Sequence, residues 1–283
     1  MPELPADLGT QVEAALREDI GSGDVTAHLV PAAQTVRGRL LTREDAVLCG
    51  RAWAEATFAQ LDPQVRLTWS AADGERITAG QTVFEIAGPA RAVLTGERTA
   101  INFLQLLSAA ATVTRRFVEA VAGTHCRIID TRKTLPGLRS AQKYAVRCGG
   151  GDNHRMGLYD RVLIKENHIA AAGSISGAIA AARRTAPGIA VEVEVESLTE
   201  LEQALGAAPD IIMLDDFSLA DLRAAVARNR AAGGRAKLEA SGSVSLETVR
   251  AIAESGVDYV SVGSLTKHVR AIDLSLRLEF GGR

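Results

Sequence analysis

The sequence has few aromatic residues and few cysteines. Aromatic residues make up 4% of the 283 residues, so alanine and aliphatic side chains must fill the core, which suits helices packed on a parallel sheet. The three cysteines, Cys49, Cys126 and Cys148, form no CxxC pair, so neither a zinc site nor a disulfide framework is indicated. A reducing, cytoplasmic compartment is the simplest interpretation.

Several functional classes are excluded in the same way. No apolar run approaches the length of a membrane span, and residues 1–7 have neither the basic nor the apolar region of a signal peptide. The net charge of −2 argues against a nucleic acid or a membrane surface as a partner. No GKS or GKT follows the glycine-rich loop at residues 21–24, which argues against a phosphate-binding loop there.

The first third of the chain is typical of a small α+β region. Residues 8–20 have the apolar spacing of an amphipathic helix, and residues 36–88 alternate short strands with turns. Within the second stretch, Val36–Leu41 and Ala46–Cys49 are predicted to be strands on either side of a hairpin-like turn.

The longest helical pattern runs from Glu97 to about Ala122. It places Arg98 in the first turn, where a positive charge opposes the helix dipole. Because this position is unfavourable for helix stability, Arg98 becomes a candidate ligand-binding residue.

After Gly123, short apolar strands alternate with helical patterns, as in consecutive βα units, which predicts a parallel sheet. We favour a barrel over an open doubly wound sheet, because the strands are short and evenly spaced and no GxGxxG follows the first one. The six predicted strands are Arg127–Asp130, Val162–Lys165, Val191–Val195, Ile211–Leu214, Leu238–Ser241 and Tyr259–Val262.

Polar residues follow these strands, where parallel α/β enzymes place their chemistry. Residues 127–165 alone contain nine cations and three acids, a local net charge of about +6 that favours a small polyanion. Glu194 and Asp215 suit a hard cation such as Mg²⁺ held together with substrate phosphates. Residues 241–243 and 263–264 offer backbone N–H groups and hydroxyls to a phosphate. The cations that remain for carboxylates or pyrophosphate are Arg132, Lys133, Arg155 and Lys165.

Three consecutive glycines, residues 149–151, precede His154 and Arg155. A plain linker fits this pattern, but glycines directly before two polar side chains favour a loop that closes over a ligand. His154 is then a ligand-binding residue or a proton donor, although a surface histidine fits the same sequence.

Six segments carry the most information: DTRKTLPGLR at 130–139, GGGDNHR at 149–155, IKENH at 164–168, EVEVE at 192–196, LDDF at 214–217 and EASG at 239–242. In this order they resemble the quinolinate phosphoribosyltransferase family, and the ten-residue first segment is highly specific. The resemblance runs nearly from end to end, from residue 17 to residue 264.

This resemblance implies an α/β fold with two domains. Residues 1–110 would form an N-terminal α/β sandwich, to which residues 270–283 return, and residues 111–269 an incomplete parallel α/β barrel of six or seven strands. It also implies a homodimer, sometimes a hexamer, in which Arg98 reaches the quinolinate bound by the partner subunit.

The family transfers phosphoribosyl from phosphoribosyl pyrophosphate (PRPP) to quinolinate and releases CO₂, a reaction of de novo NAD biosynthesis that uses Mg²⁺. The resemblance implies catalytic roles for Lys133, Lys165, Glu194 and Asp215. Glu194 and Asp215 would also face Mg²⁺, directly or through water and PRPP. Substrate binding would involve Arg98, Thr131, Arg132, Lys133, His154, Arg155, Lys165, Glu194, Asp215, Ser241, Gly242, Ser243, Val262, Gly263 and Ser264.

Two positions depart from the pattern of the family. Asp216 stands where Asn is common, and Ser243 stands where Gly is usual. Both changes look tolerable, and the second is expected to alter the phosphate loop slightly.

Three other functions remain open at this point. One is a molybdenum-operon paralogue of the same fold with an unknown substrate, against which the retained Arg132-Lys133 and His154-Arg155 pairs argue. Another is a Schiff-base aldolase with Lys165 as the nucleophile, which needs a lowered lysine pKa. The third is a non-catalytic ligand sensor, which would leave the strand-end acids without a role.

Overall fold

The computed structural model describes residues 2–280, which form two compact units. The first unit comprises the chain up to Arg115, the segment Thr134–Gly150 and the segment from Leu265 onward. The second unit comprises Arg116–Lys133 and Gly151–Ser264.

The first unit contains a four-stranded antiparallel sheet and a two-stranded one. Val36 and Leu40 lie on the buried face of the larger sheet, where alternate residues of each strand fill the core. The larger sheet has the order β12-β1-β5-β3, with β1 at Thr35–Thr42, β3 at Arg66–Trp69, β5 at Thr82–Pro89 and β12 at Leu274–Phe280. The smaller sheet pairs β2 at Ala46–Val47 with β4 at Arg76–Ile77.

The predicted hairpin between the first two strands is wrong. β1 pairs with β5 and β12, and β2 pairs with β4. The backbone N–H of Thr42 donates to Gln81 O, and that of Arg43 donates to Asp273 O. These two bonds go to other parts of the chain, so the turn does not fold β2 back onto β1.

Helices α1 at Leu8–Ile20, α2 at Arg51–Leu61 and α3 at Ala90–Ala120 complete this part of the chain. The predicted start of α3 at Glu97 is wrong, because the helix begins seven residues earlier. Arg98 therefore lies in the third turn and is exposed, so the helix-dipole argument for it no longer applies. Gly96 lies inside α3, and a Cβ there would come within 2.7 Å of Leu61 Cδ1, so the close packing at this position requires glycine.

Helix α4 at Arg139–Cys148 belongs to the first unit, although its position between the first two parallel strands predicted a helix of a βα unit. Ala141, Tyr144 and Cys148 pack in a core cluster with Trp53 and Leu107. An apolar helix face predicts burial but does not identify the surface that buries it, which explains the difference.

The second unit is built on a six-stranded parallel sheet with the order β6-β11-β10-β9-β8-β7. This order confirms the predicted α/β fold with a parallel sheet, in which β7 to β11 lie side by side in sequence order and β6 pairs with β11. The strands are β6 at Arg127–Ile129, β7 at Val162–Ile164, β8 at Val191–Val195, β9 at Ile211–Asp215, β10 at Lys237–Ser241 and β11 at Tyr259–Ser261, each within one residue of its predicted bounds.

Among the described residues, strands β6 and β7 are not paired with each other. A single parallel bridge joins Ile129 to Asp152 at the free edge of β6. The segment that carries His154 and Arg155 therefore begins beside the first parallel strand.

Six helices follow β7, and the first and the last of them were not predicted. Helix α5 at Glu166–Ala172 starts directly after Lys165, whose backbone N–H donates to His168 Nδ1 at 3.1 Å. The sequence around it was interpreted as the end of a strand, because a seven-residue helix gives only a short periodic signal. The others are α6 at Ile175–Thr185, α7 at Leu198–Ala207, α8 at Leu219–Ala231 and α9 at Val249–Glu254, and a short α10 follows at Ser264–Lys267.

Candidate active site

A cavity of about 400 Å³ lies in the second unit at the carboxyl ends of the parallel strands. The strands place their last inward-facing side chains there, and the segment after β6 adds its own. The lining residues are Thr131, Arg132, Lys133, His154, Arg155, Leu163, Lys165, Glu194, Met213, Asp215, Glu239, Ser241 and Ser261. Nine of the predicted site residues are among them.

The remaining predicted residues lie elsewhere. Arg98 is exposed on α3 in the first unit. Gly242 and Ser243 follow the lining residue Ser241, and the Val262–Ser264 segment follows the lining residue Ser261. A Cβ on Gly263 would lie 3.1 Å from Lys133 Cδ, which places this glycine against a lining side chain.

Sequence reasoning missed four lining residues, namely Leu163, Met213, Glu239 and Ser261. Each lies two positions before a predicted site residue on the same strand or at its end. Because side chains of a strand alternate between its faces, residues two apart point the same way. The residue two positions before the predicted site residue at each of these strand ends is the one that was missed.

Asp130 holds the segment that carries His154. Its side chain is fully buried, and its two oxygens accept hydrogen bonds from Asn153 Nδ2 at 2.6 Å and from the His154 backbone N–H at 2.9 Å. A carboxylate that accepts two such bonds at the end of β6 fixes the loop after the three glycines. Asp130 is the first residue of the segment DTRKTLPGLR at 130–139 but was not predicted as a site residue.

Both ring nitrogens of His154 face protein groups. Nδ1 accepts the backbone N–H of Arg155 at 2.7 Å, which places a ring proton on Nε2. Nε2 lies 3.0 Å from Glu192 Oε2 and 3.6 Å from Glu239 Oε2. The ring therefore connects the loop to the buried acids beneath the cavity.

Glu192 and Glu239 form a buried carboxyl pair, and both side chains are fully buried. Burial and the charge of Glu192 raise the pKa of Glu239 well above its usual range. Burial also tends to raise the pKa of Glu192, but the hydrogen bond and charge of His154 and the charge of Arg161 lower it overall. Arg161 Nη1 lies 3.3 Å from Glu192 Oε2. The pair therefore holds one proton, on the side of Glu239.

The cations of the cavity point to an anionic ligand. Arg132 Nε is buried and has no hydrogen-bond partner among residues 2–280, which is unusual for so strong a donor. Burial lowers the pKa of Arg155, and so does repulsion from the nearby positive charge of Arg132. Lys165 Nζ donates to Glu194 Oε2. An anion placed between the arginines would relieve this repulsion and supply the missing acceptor.

Two family models match the chain. The one described as "Quinolinate phosphoribosyl transferase, N-terminal domain" matches residues 24–108, and the one described as "Quinolinate phosphoribosyl transferase, C-terminal domain" matches residues 110–277. The chain belongs to the quinolinate phosphoribosyl transferase family.

Relatives of this family cover nearly the whole chain. A "Nicotinate-nucleotide pyrophosphorylase [carboxylating]" of Mycobacterium leprae is 43% identical over 94% of this chain and 95% of its own. A probable enzyme of the same name from Bacillus subtilis is 40% identical over 92% of this chain and 89% of its own. The solved structure of the nicotinate-nucleotide pyrophosphorylase from Francisella tularensis is 46% identical, covers 98% of both chains and has a TM-score of 0.93.

The acids of this phosphoribosyl transferase site are suited to a hard cation. Glu194 and Asp215 line the cavity and offer carboxylate oxygens, the ligands that Mg²⁺ prefers. Glu194 also has Glu166 and Glu196 close by, with one oxygen of each of the three within 4.8 Å of the others. Among residues 2–280, no helix has both the length and the apolar character needed to cross a membrane.

Proposed function

We propose that this chain transfers phosphoribosyl from PRPP to quinolinate, giving nicotinate mononucleotide, pyrophosphate and CO₂ in de novo NAD biosynthesis. It is then a pentosyltransferase of the nicotinate-nucleotide pyrophosphorylase (carboxylating) type. The observation that carries the proposal is the buried, unpartnered Arg132 Nε beside Arg155, in a cavity whose opposite strands carry acids. Family membership supports the same reaction.

The two carboxylates of quinolinate are assigned to the cationic side of the cavity. Arg132 and Arg155 offer planar donors that match a carboxylate, and Lys165 adds a third positive charge. Because His154 already binds Glu192 and the Arg155 backbone, we assign it chiefly to orienting Arg155 and shaping the quinolinate pocket.

PRPP is assigned to the remaining lining residues. Thr131, Lys133 and Lys165 would meet the pyrophosphate, while Glu194 and Asp215 would face the ribose hydroxyls. The 5-phosphate would be bound by the loops after β10 and β11, through Ser241, Gly242, Ser243, Val262, Gly263 and Ser264.

Mg²⁺ is proposed as the cofactor. Glu194 and Asp215 would hold it, directly or through water and PRPP. When bound, the ion neutralises part of the charge that develops on the departing pyrophosphate.

The chain's own residues act mainly by positioning. They hold the pyridine nitrogen of quinolinate against the ribose anomeric carbon, so that the C–N bond forms as the C–O bond to pyrophosphate breaks. Lys133 and Lys165 stabilise the charge that builds on the leaving pyrophosphate, and Glu194 and Asp215 stabilise the positive charge on the ribose. The positive charge of the quaternised ring nitrogen then stabilises the electron pair that stays on C2 as the 2-carboxylate leaves as CO₂, and a proton takes the place of the carboxylate at C2.

Assembly and compartment belong to the same proposal. The site would be shared between the subunits of a homodimer, or of a hexamer built from such dimers, with Arg98 reaching the partner's quinolinate. Arg98 is exposed on α3 and is therefore available for such a contact. A cytoplasmic location is supported by the three free cysteines, Cys49, Cys126 and Cys148.

The aldolase alternative has less support. A Schiff-base nucleophile needs an amine that is free to attack a carbonyl carbon, whereas Lys165 Nζ donates a hydrogen bond to the Glu194 carboxylate.

One assay tests the proposed reaction. Quinolinate labelled at the 2-carboxylate should release labelled CO₂ only when PRPP and Mg²⁺ are both present. A parallel reaction with nicotinate in place of quinolinate controls for transfer without decarboxylation. Pure, folded protein that releases no labelled CO₂ would contradict the proposal.

A further inference from the structure

Asp216 adopts a backbone conformation that residues other than glycine rarely adopt. Its φ is 52°, in the left-handed region, and Ala208 is the only other non-glycine residue with a positive φ among residues 2–280. Asn and Asp tolerate this region better than most residues because their short polar side chains bond locally. Asp216 directly follows Asp215 of β9, so this conformation lies next to a residue that lines the cavity.

Local hydrogen bonds explain the conformation. The Asp216 backbone N–H donates to Ser241 O at 3.1 Å, and its Oδ1 accepts the Ser243 backbone N–H at 3.3 Å. One residue thus binds both ends of the turn from Ser241 to Ser243. The turn is therefore held in place by the residue that directly follows the neighbouring strand β9.

The middle of the turn leaves no room for a side chain. Gly242 has a φ of 126°, and a Cβ there would lie only 2.1 Å from Asp216 Oδ1. The carboxylate of Asp216 and the backbone of Gly242 are therefore packed directly against each other. Any anion bound to the backbone of this turn would lie close to the Asp216 charge.

An acid is a costly choice at this position. An ionised carboxylate can only accept hydrogen bonds, so it occupies the Ser243 N–H and adds a negative charge beside the turn. A phosphate bound here would be repelled by that charge. A neutral asparagine would accept the same hydrogen bond without the repulsion.

We propose that Asp216 is a positioning residue that holds the turn from Ser241 to Ser243, here called the phosphate turn, and that its charge limits how tightly the 5-phosphate is bound. This rests on the proposed function, in which the turn from Ser241 to Ser243 binds that phosphate. PRPP has a second anchor in its pyrophosphate, whereas the mononucleotide product has lost it. The repulsion weakens the binding of substrate and product by a similar factor, but PRPP keeps its pyrophosphate anchor and stays bound, whereas the product, without that anchor, is released more readily.

The test compares two ligands that each carry one end of PRPP. Dissociation constants of ribose 5-phosphate and of pyrophosphate with Mg²⁺ are measured by calorimetry on wild type and on Asp216→Asn. We expect ribose 5-phosphate to bind about threefold to tenfold more tightly to the variant, the effect of one charge at short range in a partly solvated site. Pyrophosphate should bind the two proteins equally.

Two further variants separate charge from hydrogen bonding. Asp62→Asn is the matched control, because Asp62 Oδ1 also accepts a backbone N–H, that of Gln64 at 2.7 Å, and the same charge is removed. It should leave both dissociation constants unchanged. Asp216→Gly tolerates the positive φ but removes the acceptor for Ser243, so it should bind ribose 5-phosphate more weakly than Asp216→Asn does.

Each outcome is decisive. Equal tightening for both ligands, or no change in Asp216→Asn, would overturn the inference while wild-type CO₂ release leaves the proposed function intact. Wild-type protein that releases CO₂ but does not bind ribose 5-phosphate would overturn the assignment of the phosphate turn, and the inference with it. Wild-type protein that releases no CO₂ would contradict the proposed function itself.

Discussion

At the scale of single residues, Arg132 is the cation whose role can be tested most directly. Its buried Nε has no partner among residues 2–280, so a bound carboxylate would supply one. Arg132→Ala should weaken quinolinate binding by about tenfold to a hundredfold, since a hydrogen bond between charged groups contributes about 1.5–3 kcal/mol. PRPP binding should change by less than about threefold. Equilibrium titration of each substrate separately measures both effects.

Arg132→Lys is the control for this prediction. It keeps the positive charge but loses the planar pair of donors. Quinolinate affinity intermediate between wild type and Arg132→Ala would support recognition by geometry as well as charge. An equal loss of quinolinate and PRPP affinity in Arg132→Ala would contradict its assigned role.

Glu239 makes a prediction about stability and pH. Burial and Glu192 raise its pKa well above the usual 4.5, so the folded state holds a proton that the unfolded state releases as the pH rises. The folded protein therefore loses stability between pH 4.5 and the raised pKa, by up to about 1 kcal/mol per pH unit. Glu239→Gln, which resembles the protonated acid, should remove this loss, so its advantage over wild type should grow with pH.

Denaturant unfolding at several pH values measures this effect. Glu202→Gln is the control, because Glu202 is exposed and pairs with Arg228 at the surface, where ion pairs contribute little. Its stability should follow that of wild type at every pH. A Glu239→Gln protein whose stability relative to wild type does not change between pH 5 and pH 8 would contradict the single shared proton.

At the scale of elements, Gly96 is a position inside α3 where the packing leaves no room for a side chain. A Cβ at this position would meet Leu61 Cδ1 at 2.7 Å and Phe58 Cε1 at 2.9 Å; Phe58 is in the core of the first unit and Leu61 is partly buried against it. Gly96→Ala should therefore destabilise the protein by about 1–3 kcal/mol, although alanine favours a helix by about 1 kcal/mol. Thermal and denaturant unfolding measure the change.

Gly9 provides the opposite case within α1. A Cβ added there has nothing within 4 Å, so Gly9→Ala should stabilise the protein by about 0.5–1 kcal/mol. If both alanine variants changed stability in the same direction, packing around Gly96 would not explain the difference.

The elements also show what the sequence can predict. The parallel strands were predicted within one residue, because short β-branched runs such as Ile211–Leu214 are buried on both faces and carry a strong signal. The segment Thr134–Gly150 was not assigned to the first unit, because an amphipathic helix does not name its partner. At the site, strand ends such as Lys165 were found, whereas Asp130 and Glu239 act through contacts between residues distant in the sequence.

At the scale of the whole molecule, the proposed shared site predicts a complementation result. Arg98→Ala and Arg132→Ala should each abolish most CO₂ release. If Arg98 acts on the partner's quinolinate, a mixed dimer of the two variants has one site with both arginines intact and one with neither. Random mixing in equal amounts should then restore roughly a quarter of wild-type activity.

The alternative arrangement gives a different result. If Arg98 acts within its own subunit, every site in every mixture lacks one arginine, and no activity returns. Subunits must exchange for the test to work, so the two variants are unfolded together and refolded together. Arg132→Ala protein alone, unfolded and refolded in the same way, gives the background activity.

The path of the chain through the two units has a consequence for synthesis. The first unit needs β12 at Leu274–Phe280 as the neighbour of β1 at Thr35–Thr42, so its sheet pairs residues more than two hundred positions apart. Closing so long a loop is slow, and β12 emerges from the ribosome after all the parallel strands, whereas β5, the other neighbour of β1, emerges before them. During translation the edge of β1 therefore stays open for most of the synthesis time. Chaperone binding to the nascent chain is expected to concentrate on this edge.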